Sequence, residues 1–520
     1  MTKYDRDLIK DLCKEAPKGN FNCTEIAKKY AAKKGMEYTV SIARSIQNIV
    51  KSENLDRDFI EPSKSEYYKE AINRDLKGKH KTYIVTWAQS HTPILQNLLV
   101  GMETLASEYN AKIVVIPGTY VNYNSEHKRM PDVWDPLIKE YLVASEKSLH
   151  PFLKVISDAD VLPTAVSPLT GMEGMTSTES SIIGHPRQHT KVVASMKNSR
   201  RKFIATTGAL TLPNYRRSRV GKKARLNHKM GFIVVEVINN QNFVYRHVEA
   251  DAIGRFQDLV YKVDGKTITS DGKWEAMIFG DTHLSKEDPV FLKESRRLFE
   301  KAGTEMSIWH DLFDGYSINH HEAKDYVSQV IKEKKNLNCL STELERTYSF
   351  IEEWKDTNMK IIPSNHPDWI DKWVRLNQGN SDKKNAFLFN EFQNILFNEL
   401  APKGLYAYLI DKKFDNEVQT LHRDDSFIVN GFELNNHGDL GANGAKASPS
   451  TFSSLQIKIV SADKHTMYTI DNAHGVGVST YLDHGYNKGL SSWNQSNGVI
   501  LENGTYQHLL FEGGKFTNLM

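Results

Sequence analysis

Five short apolar runs in the second half of the chain end, one after another, in side chains able to hold a cation. They read EAMIFGDTH, ending in Asp281 and His283; MSIWHD, in Asp311; MKIIPSNH, in Asn365 and His366; FELNNH, in His437; and LQIKIVSADKH, in Asp463 and His465. Short apolar runs closed by such turns read as buried strands. In α/β proteins the carboxyl ends of strands are where ligands sit. The series therefore calls for a fold that carries several strand ends to one edge. A single Asp-x-His turn is weak evidence of a metal site, but here the pattern recurs. Carboxylate oxygens mixed with imidazole nitrogens suit manganese, iron or zinc.

At 520 residues the chain is long enough for several modules. Residues 1–60 read as helical: EIAKKYAAK and SIARSIQNIVK, separated by a turn at Gly35, have helix-turn-helix spacing. That spacing serves DNA reading in some folds and plain helical packing in many others. Residues 61–80 are charged and read as a linker or an exposed helix. Residues 81–271 read as an α/β middle domain: KTYIVTWAQ and AKIVVIPG flank a helical stretch from Ile94 to Tyr109. VVASM, KFIATTGAL and GFIVVEVI continue the sheet pattern, and VYKVDGKTI reads as a closing hairpin. Residues 272–520 form the domain that holds the series of strand ends.

The net charge of +3 is too small to imply a polyanionic partner, so the placement of charge matters more than its total. In RRSRVGKKARLNHK, read as a loop between strands, Arg216, Arg217, Arg219, Lys222, Lys223, Arg225 and Lys229 occur with no acidic residue among them. Such a segment can neutralise phosphates and release counterions. It reads equally well as a solvated loop or a subunit contact, which leaves a homo-oligomer open. No apolar run reaches the roughly 18 residues needed to cross a bilayer, and MTKYDRDLIKDLCKE lacks the apolar core of a secretory signal. Cys13, Cys23 and Cys339 are too few and too scattered for a disulfide framework, so a reducing cytoplasm is the expected compartment.

The ordered series resembles the calcineurin-like metallophosphoesterases, whose signature runs Asp-x-His, Gly-Asp, Gly-Asn-His, a lone His, then Gly-His-x-His. The resemblance covers roughly residues 274 to 510 and implies a four-layer αββα sandwich with two divalent ions. Manganese is the expected metal, with magnesium or iron as alternatives. On that signature Asp281, His283 and His465 would hold one ion and Asn365, His437 and Asp463 the other, with Asp311 bridging both. His366 matches the family's non-ligand histidine, which stabilises the transition state or protonates the leaving oxygen. Two cations about 4 Å apart would activate water and clamp the attacked phosphate.

Several positions depart from the family pattern: His310 replaces the Gly before the bridging Asp, Pro367 follows His366, Asn436 precedes His437, and Asp463 stands in place of a His. Lys464 could compete for the Asp463 carboxylate, and His474 is the alternative ligand. His320, His321 and His484 could line the cleft, but turn geometry explains them equally well, and they stay outside the expected site.

More narrowly, VTWAQSHTP, TGALTLPNY, HDLFDGYSINHHE, HGDLGANGAKAS and YNKGLSSW are similar to a phage-encoded group of pre-early DNA-transfer and host-DNA-degradation nucleases. That resemblance implies a DNase acting in the cytoplasm of an infected bacterium, with the basic segment and N-terminal helices holding DNA. The competing expectation is a DNA- or host-protein-binding regulatory protein on a decayed phosphoesterase scaffold. Hydrolysis of nucleotides or phosphoproteins is a third.

Overall fold

The computed structural model describes residues 4–15, 23–53, 55, 80–120, 132–143, 145–197 and 199–519. The expected linker at 61–80 lies outside the described residues except for its last position. The chain divides into two units, Met1–Arg74 and Asp75–Met520.

The first unit contains helices Arg6–Lys14, Cys23–Lys33 and Val40–Ser52. Asp5 caps the first by accepting a hydrogen bond from the Leu8 N–H. Gly35 ends the second in the left-handed region (φ 63°), where the Met36 N–H reaches the Ala31 carbonyl and the Gly35 N–H reaches that of Ala32. Ile9, Leu12, Ile26, Ala27, Tyr30, Ile42, Ile46 and Val50 recur at helical spacing and are buried against one another.

The second unit is mixed α/β. A six-stranded sheet has the order Gln419–Thr420, Lys360–Ile361, Ser307–Trp309, Trp274–Ile278, Ser496–Leu501, Tyr506–Leu510. Alternation along each strand sends side chains to two different cores. Trp274, Met277, Trp309, Ile361, Val499 and Leu501 pack with helices Pro289–Lys301, Leu340–Trp354, Asp368–Arg375, Ala386–Phe397 and Leu405–Lys413. Ala276, Ile278, Ile308, Ile362 and Ile500 face the other way, onto Phe432, Leu434, Val460, Ala462 and Val476 of a second sheet. Trp274 and Met277 share a face although three positions apart because a register shift lies between Trp274 and Ala276.

That second sheet has ten strands and crosses residue 271. One half is Ile428–Val429, Phe432–Glu433, Lys458–Ser461, Ala473–Gly475 and Tyr468–Ile470; the other is His189–Val193, Lys202–Thr206, Ser180–Ile183, Leu153–Ile156 and Lys147–His150. At the seam Tyr468–Ile470 runs antiparallel to His189–Val193, pairing Thr469 with Thr190. Asp471 fastens it, with Arg187 Nη1 at 2.9 Å and His189 Nε2 at 3.0 Å. The stretches 81–271 and 272–520, two domains in the sequence reading, therefore share one sheet and one compact unit. A four-stranded sheet (Phe243–Glu249, Gly231–Val237, Thr82–Gln89, Lys112–Gly118) packs its Tyr83, Val85, Val114 and Ile233 onto Val155, Ile182, Phe203 and Ala205 of the large one.

One buried ion cluster joins the four-stranded sheet to the end of the chain. Arg246 is fully buried and clasps Asp258 through Nε and Nη2 at 2.6 and 2.7 Å, while its Nη1 pairs with Glu236. Glu236 in turn accepts from the Thr517 hydroxyl and the Asn518 N–H. Among the described residues, no helix is long and apolar enough to cross a membrane.

Candidate metal centre

The first three strand ends meet because their strands are neighbours. Trp274–Ile278, Ser307–Trp309 and Lys360–Ile361 are adjacent and parallel, with Met277 opposite Ser307 and Ile308 opposite Lys360. Asp281, Asp311 and Asn365 thus leave the sheet at one edge. The first two loops stay paired beyond the strands: the Thr282, His283 and Leu284 N–H groups donate to the carbonyls of His310, Asp311 and Leu312. The last two motifs come from the ten-stranded sheet, where Phe432–Glu433 and Lys458–Ser461 are parallel neighbours and the Ala462 N–H donates to the His437 carbonyl.

The backbone here is bent to purpose. His283, Asp311, Asp463 and His465 all have positive φ, at 40°, 42°, 60° and 56°. Non-glycine residues seldom adopt this region, and each instance costs on the order of 1–3 kcal/mol that the surrounding structure must hold in place. Gly280 has no such freedom to give up: a Cβ there would stand 2.4 Å from the Gly477 carbonyl oxygen. That close approach lets the Asp281 N–H donate to Gly477 and its carbonyl accept from the Ser479 N–H.

The side chains converge on one buried place. His465 Nε2 lies 3.0 Å from Asp281 Oδ2 and 3.2 Å from His283 Nε2. His437 Nε2 is 3.2 Å from Asp311 Oδ2, and His437 Nδ1 is 3.8 Å from Asp281 Oδ1. His283 Nε2 is 3.9 Å from Asp311 Oδ2. Two groups of donors spaced for a metal result, Asp281/His283/His465 and Asp281/Asp311/His437.

These close approaches are mostly not hydrogen bonds. Both oxygens of Asp281, Oδ1 of Asp311 and Nε2 of His437 are buried without a hydrogen-bond partner, and His465 meets them through Nε2; Asn365 Oδ1 is also buried and unpartnered, but Asn365 is in none of the donor groups. Buried polar atoms are nearly always satisfied, and leaving one unmet costs roughly 1–3 kcal/mol. Oxygens and nitrogens that face one another across a gap without sharing protons are arranged as ligands around cations are. The donor set therefore fits divalent ions.

Charge tells the same story. Burial, reinforced by Asp311 and Asp463, pushes the Asp281 carboxyl up to about 7, against the pull of His437 and His283. Burial works to lower His437, but the Asp311, Asp281 and Asp463 carboxylates raise it to about 10. Asp311 is buried as well, yet His437, His366 and His283 hold it well below the usual carboxylate range. Burial depresses His465 to about 4. Buried carboxylates with only histidines to balance them are short of positive charge, which divalent ions would supply.

Asp463 sits at the rim. Its Oδ1 is 3.8 Å from His437 Nε2, while its Oδ2 is 2.5 Å from Lys464 Nζ. His474 stands apart, half-buried in the strand Ala473–Gly475 with its ring stacked 4.1 Å from that of Tyr506. His366 faces the cluster, 4.6 Å from His283 between ring centres, and its Nδ1 lies 2.6 Å from the Asp314 backbone carbonyl. His320 and His321 pack on Trp369, which also stacks on His366 at 4.2 Å. His484 reaches the cluster, 5.6 Å from His283.

Sequence reasoning missed two residues. Asp314 is buried with Oδ1 3.2 Å from His283 Nδ1 and Oδ2 2.7 Å from Lys286 Nζ, and it forms a third donor group with His283 and His366. Its only sequence signal is a second acid in the same loop, LFDG. His310, taken from sequence only as a departure, is buried beside His437, with their Nδ1 atoms 3.4 Å apart. Burial holds it well below the ordinary histidine range, so it is neutral. A neutral neighbour on Nδ1 fixes His437 with its Nε2 toward Asp311.

The middle of the basic segment, Arg219–Leu226, is a helix rather than a loop, flanked by irregular chain that holds Arg216, Arg217 and Lys229. Ser218 caps Arg219–Leu226 by accepting from the Gly221 N–H, and Gly221 and Ala224 turn inward. Arg216, Arg217, Arg219, Lys222, Lys223 and Arg225 are exposed, and among the described residues no carboxylate pairs with them. Lys229 differs, bonding Glu249 at 2.7 Å.

Comparison with known proteins adds one likeness. Over 468 residues the chain is 26% identical to Protein A1 of Escherichia phage T5, spanning 84% of this chain and 83% of that protein. No family description matches the chain, and no solved structure matches it. The chain is thus similar to a phage protein along most of its length.

Proposed function

We propose that this chain is a metal-dependent phosphodiesterase whose substrate is DNA: a phage DNase that degrades host DNA in the infected cytoplasm. The observation that carries the reading is the pair of buried donor groups Asp281/His283/His465 and Asp281/Asp311/His437, in which both oxygens of Asp281, Oδ1 of Asp311 and Nε2 of His437 have no hydrogen-bond partner. In this reading the helices, the two facing sheets and the short helix Pro449–Ser454 on the far side make up an αββα sandwich.

Asp281, His283 and His465 would hold one ion, Asn365, His437 and Asp463 the other, and Asp311 both. Oxygen donors mixed with imidazole favour manganese, with magnesium or iron as alternatives. Bound there, the pair supplies a nucleophile at neutral pH and offsets charge on the attacked phosphate. Asp314 stands against His283 Nδ1 and so turns its Nε2 to the gap. His366 donates Nδ1–H to the Asp314 carbonyl, which leaves Nε2 to exchange a proton with the leaving oxygen. The cations at Arg216, Arg217, Arg219, Lys222, Lys223 and Arg225, exposed and without a carboxylate partner among the described residues, support DNA as partner, since such cations can neutralise phosphates.

One observation favours a second reading, a DNA- or host-protein-binding protein on a scaffold that has lost turnover: Lys464 already occupies one oxygen of Asp463. Hydrolysis decides between them. Purified protein with manganese should cleave bis(4-nitrophenyl) phosphate and DNA, and Asp311→Ala should bring both to background. Wild-type protein that binds DNA but cleaves neither substrate would leave the second reading standing.

A further inference from the structure

Beside the cluster, the glycine-rich segment YLDHGYNKGLSSW carries aromatic rings that the site as described does not use. Gly485 and Gly489 take φ of 81° and 80°, so the segment doubles back on itself. Trp493, half-buried, packs edge-on against His465 at 4.2 Å between ring centres, and His484 lies 5.0 Å from Trp493. Tyr486 completes the group, 6.0 Å from Trp493 and inclined to it by 73°.

Tyr486 is 54% exposed, yet it is not loose. Its hydroxyl meets His484 Nδ1 at 3.2 Å, and His484 Nε2 meets the Thr480 hydroxyl at 2.7 Å. Lys286, which bonds Asp314, sits 5.4 Å from the Tyr486 ring centre. Lys488 is exposed two residues along. A lone exposed aromatic needs no explanation. One that is held by its hydroxyl, flanked by lysines and joined through His484 and Trp493 to two candidate ligands, His283 and His465, is different. A fixed ring presents its face with little entropy left to lose.

We infer that Tyr486, with Trp493 behind it, is a stacking platform for one unpaired base of the strand whose phosphate lies on the cluster. This deepens the phosphodiesterase reading and rests on it. Bases inside a duplex have both faces covered, so a platform next to the reacting phosphate selects single-stranded DNA or a strand end. Lys488 would take a flanking phosphate, while Lys286, already paired with Asp314, steadies the ring, and stacking on the ring would accept any base.

The test compares wild type with Tyr486→Ala and Tyr486→Phe on two readouts. The first is anisotropy of a labelled oligothymidine strand in EDTA, where no turnover occurs. The second is the ratio of kcat/KM with manganese for that strand to kcat/KM for bis(4-nitrophenyl) phosphate. Loss of one base stack should weaken binding about tenfold in Tyr486→Ala and lower the ratio to a similar degree. Tyr486→Phe, which keeps the ring, should stay within about threefold of wild type on the same scale. Equal affinity of wild type and Tyr486→Ala for the strand overturns the inference even if the small ester is cleaved. Absence of any hydrolysis sinks the phosphodiesterase reading instead, and the anisotropy result still judges the platform.

Discussion

His465 Nε2 stands 3.0 Å from Asp281 Oδ2, and neither oxygen of Asp281 has a hydrogen bond. An ordinary buried His–Asp pair would share a proton at that distance. Here the imidazole is depressed to about 4 by burial, and the carboxyl is pushed up to about 7. Burial thus leaves the imidazole neutral and makes the bare carboxylate costly, a cost that a proton or a divalent cation on Asp281 would relieve.

Lys464 is the check on the second ion. Its Nζ, 2.5 Å from Asp463 Oδ2, neutralises the rim carboxylate. Lys464→Ala frees that oxygen and removes a like charge, so manganese affinity at the weaker site should tighten by about tenfold. Titration calorimetry reads this directly; unchanged or weaker binding would mean that Asp463 is no ligand.

His366 should separate chemistry from metal binding. It faces the cluster through its ring but belongs to neither donor group that contains Asp281. His366→Ala should lower kcat by about 10²–10⁴ while the stoichiometry of bound manganese stays as in wild type. Equal loss of metal would make it a ligand.

The basic helix should act through salt. Replacing Lys222, Lys223 and Arg225 together by Ala removes three exposed cations. The slope of log affinity for duplex DNA against log salt should become shallower by about 2–3. A slope identical to wild type would place DNA elsewhere on the molecule.

Arg246 tests the fold. It is fully buried between Asp258 and Glu236, and the latter also holds Thr517 and Asn518. Arg246→Ala leaves two buried carboxylates without a cation and should cost about 3–5 kcal/mol in denaturant unfolding. A change under about 1 kcal/mol would show that the cluster is solvated well enough to do without it.

How far the sequence could be read depended on whether the signal was local. The apolar runs ending in Asp281, Asp311 and Asn365 were legible because strand alternation and terminal turns are written in adjacent residues. That the three strands are neighbours followed from nothing local. Pairing of Tyr468–Ile470 with His189–Val193 joins segments far apart in sequence, and it makes one unit of what composition presents as two. Arg219–Leu226 reads as a loop because charge hides the two small residues, Gly221 and Ala224, that form its buried face. Asp314 and His310 were passed over because their roles lie in contacts with His283 and His437, which spacing does not encode. His474 is the alternative to Asp463 in the sequence, but strand pairing carries it to Tyr506.

Two-metal hydrolysis needs two cations sharing Asp311, and diffraction from manganese-soaked crystals recorded at the metal's absorption edge shows whether they are there. Two anomalous peaks about 4 Å apart, one against Asp281, His283 and His465 and the other against His437 and Asn365, are expected on either side of the Asp311 carboxylate. A cluster that stays free of anomalous signal at saturating manganese, or one peak away from Asp311, would contradict it.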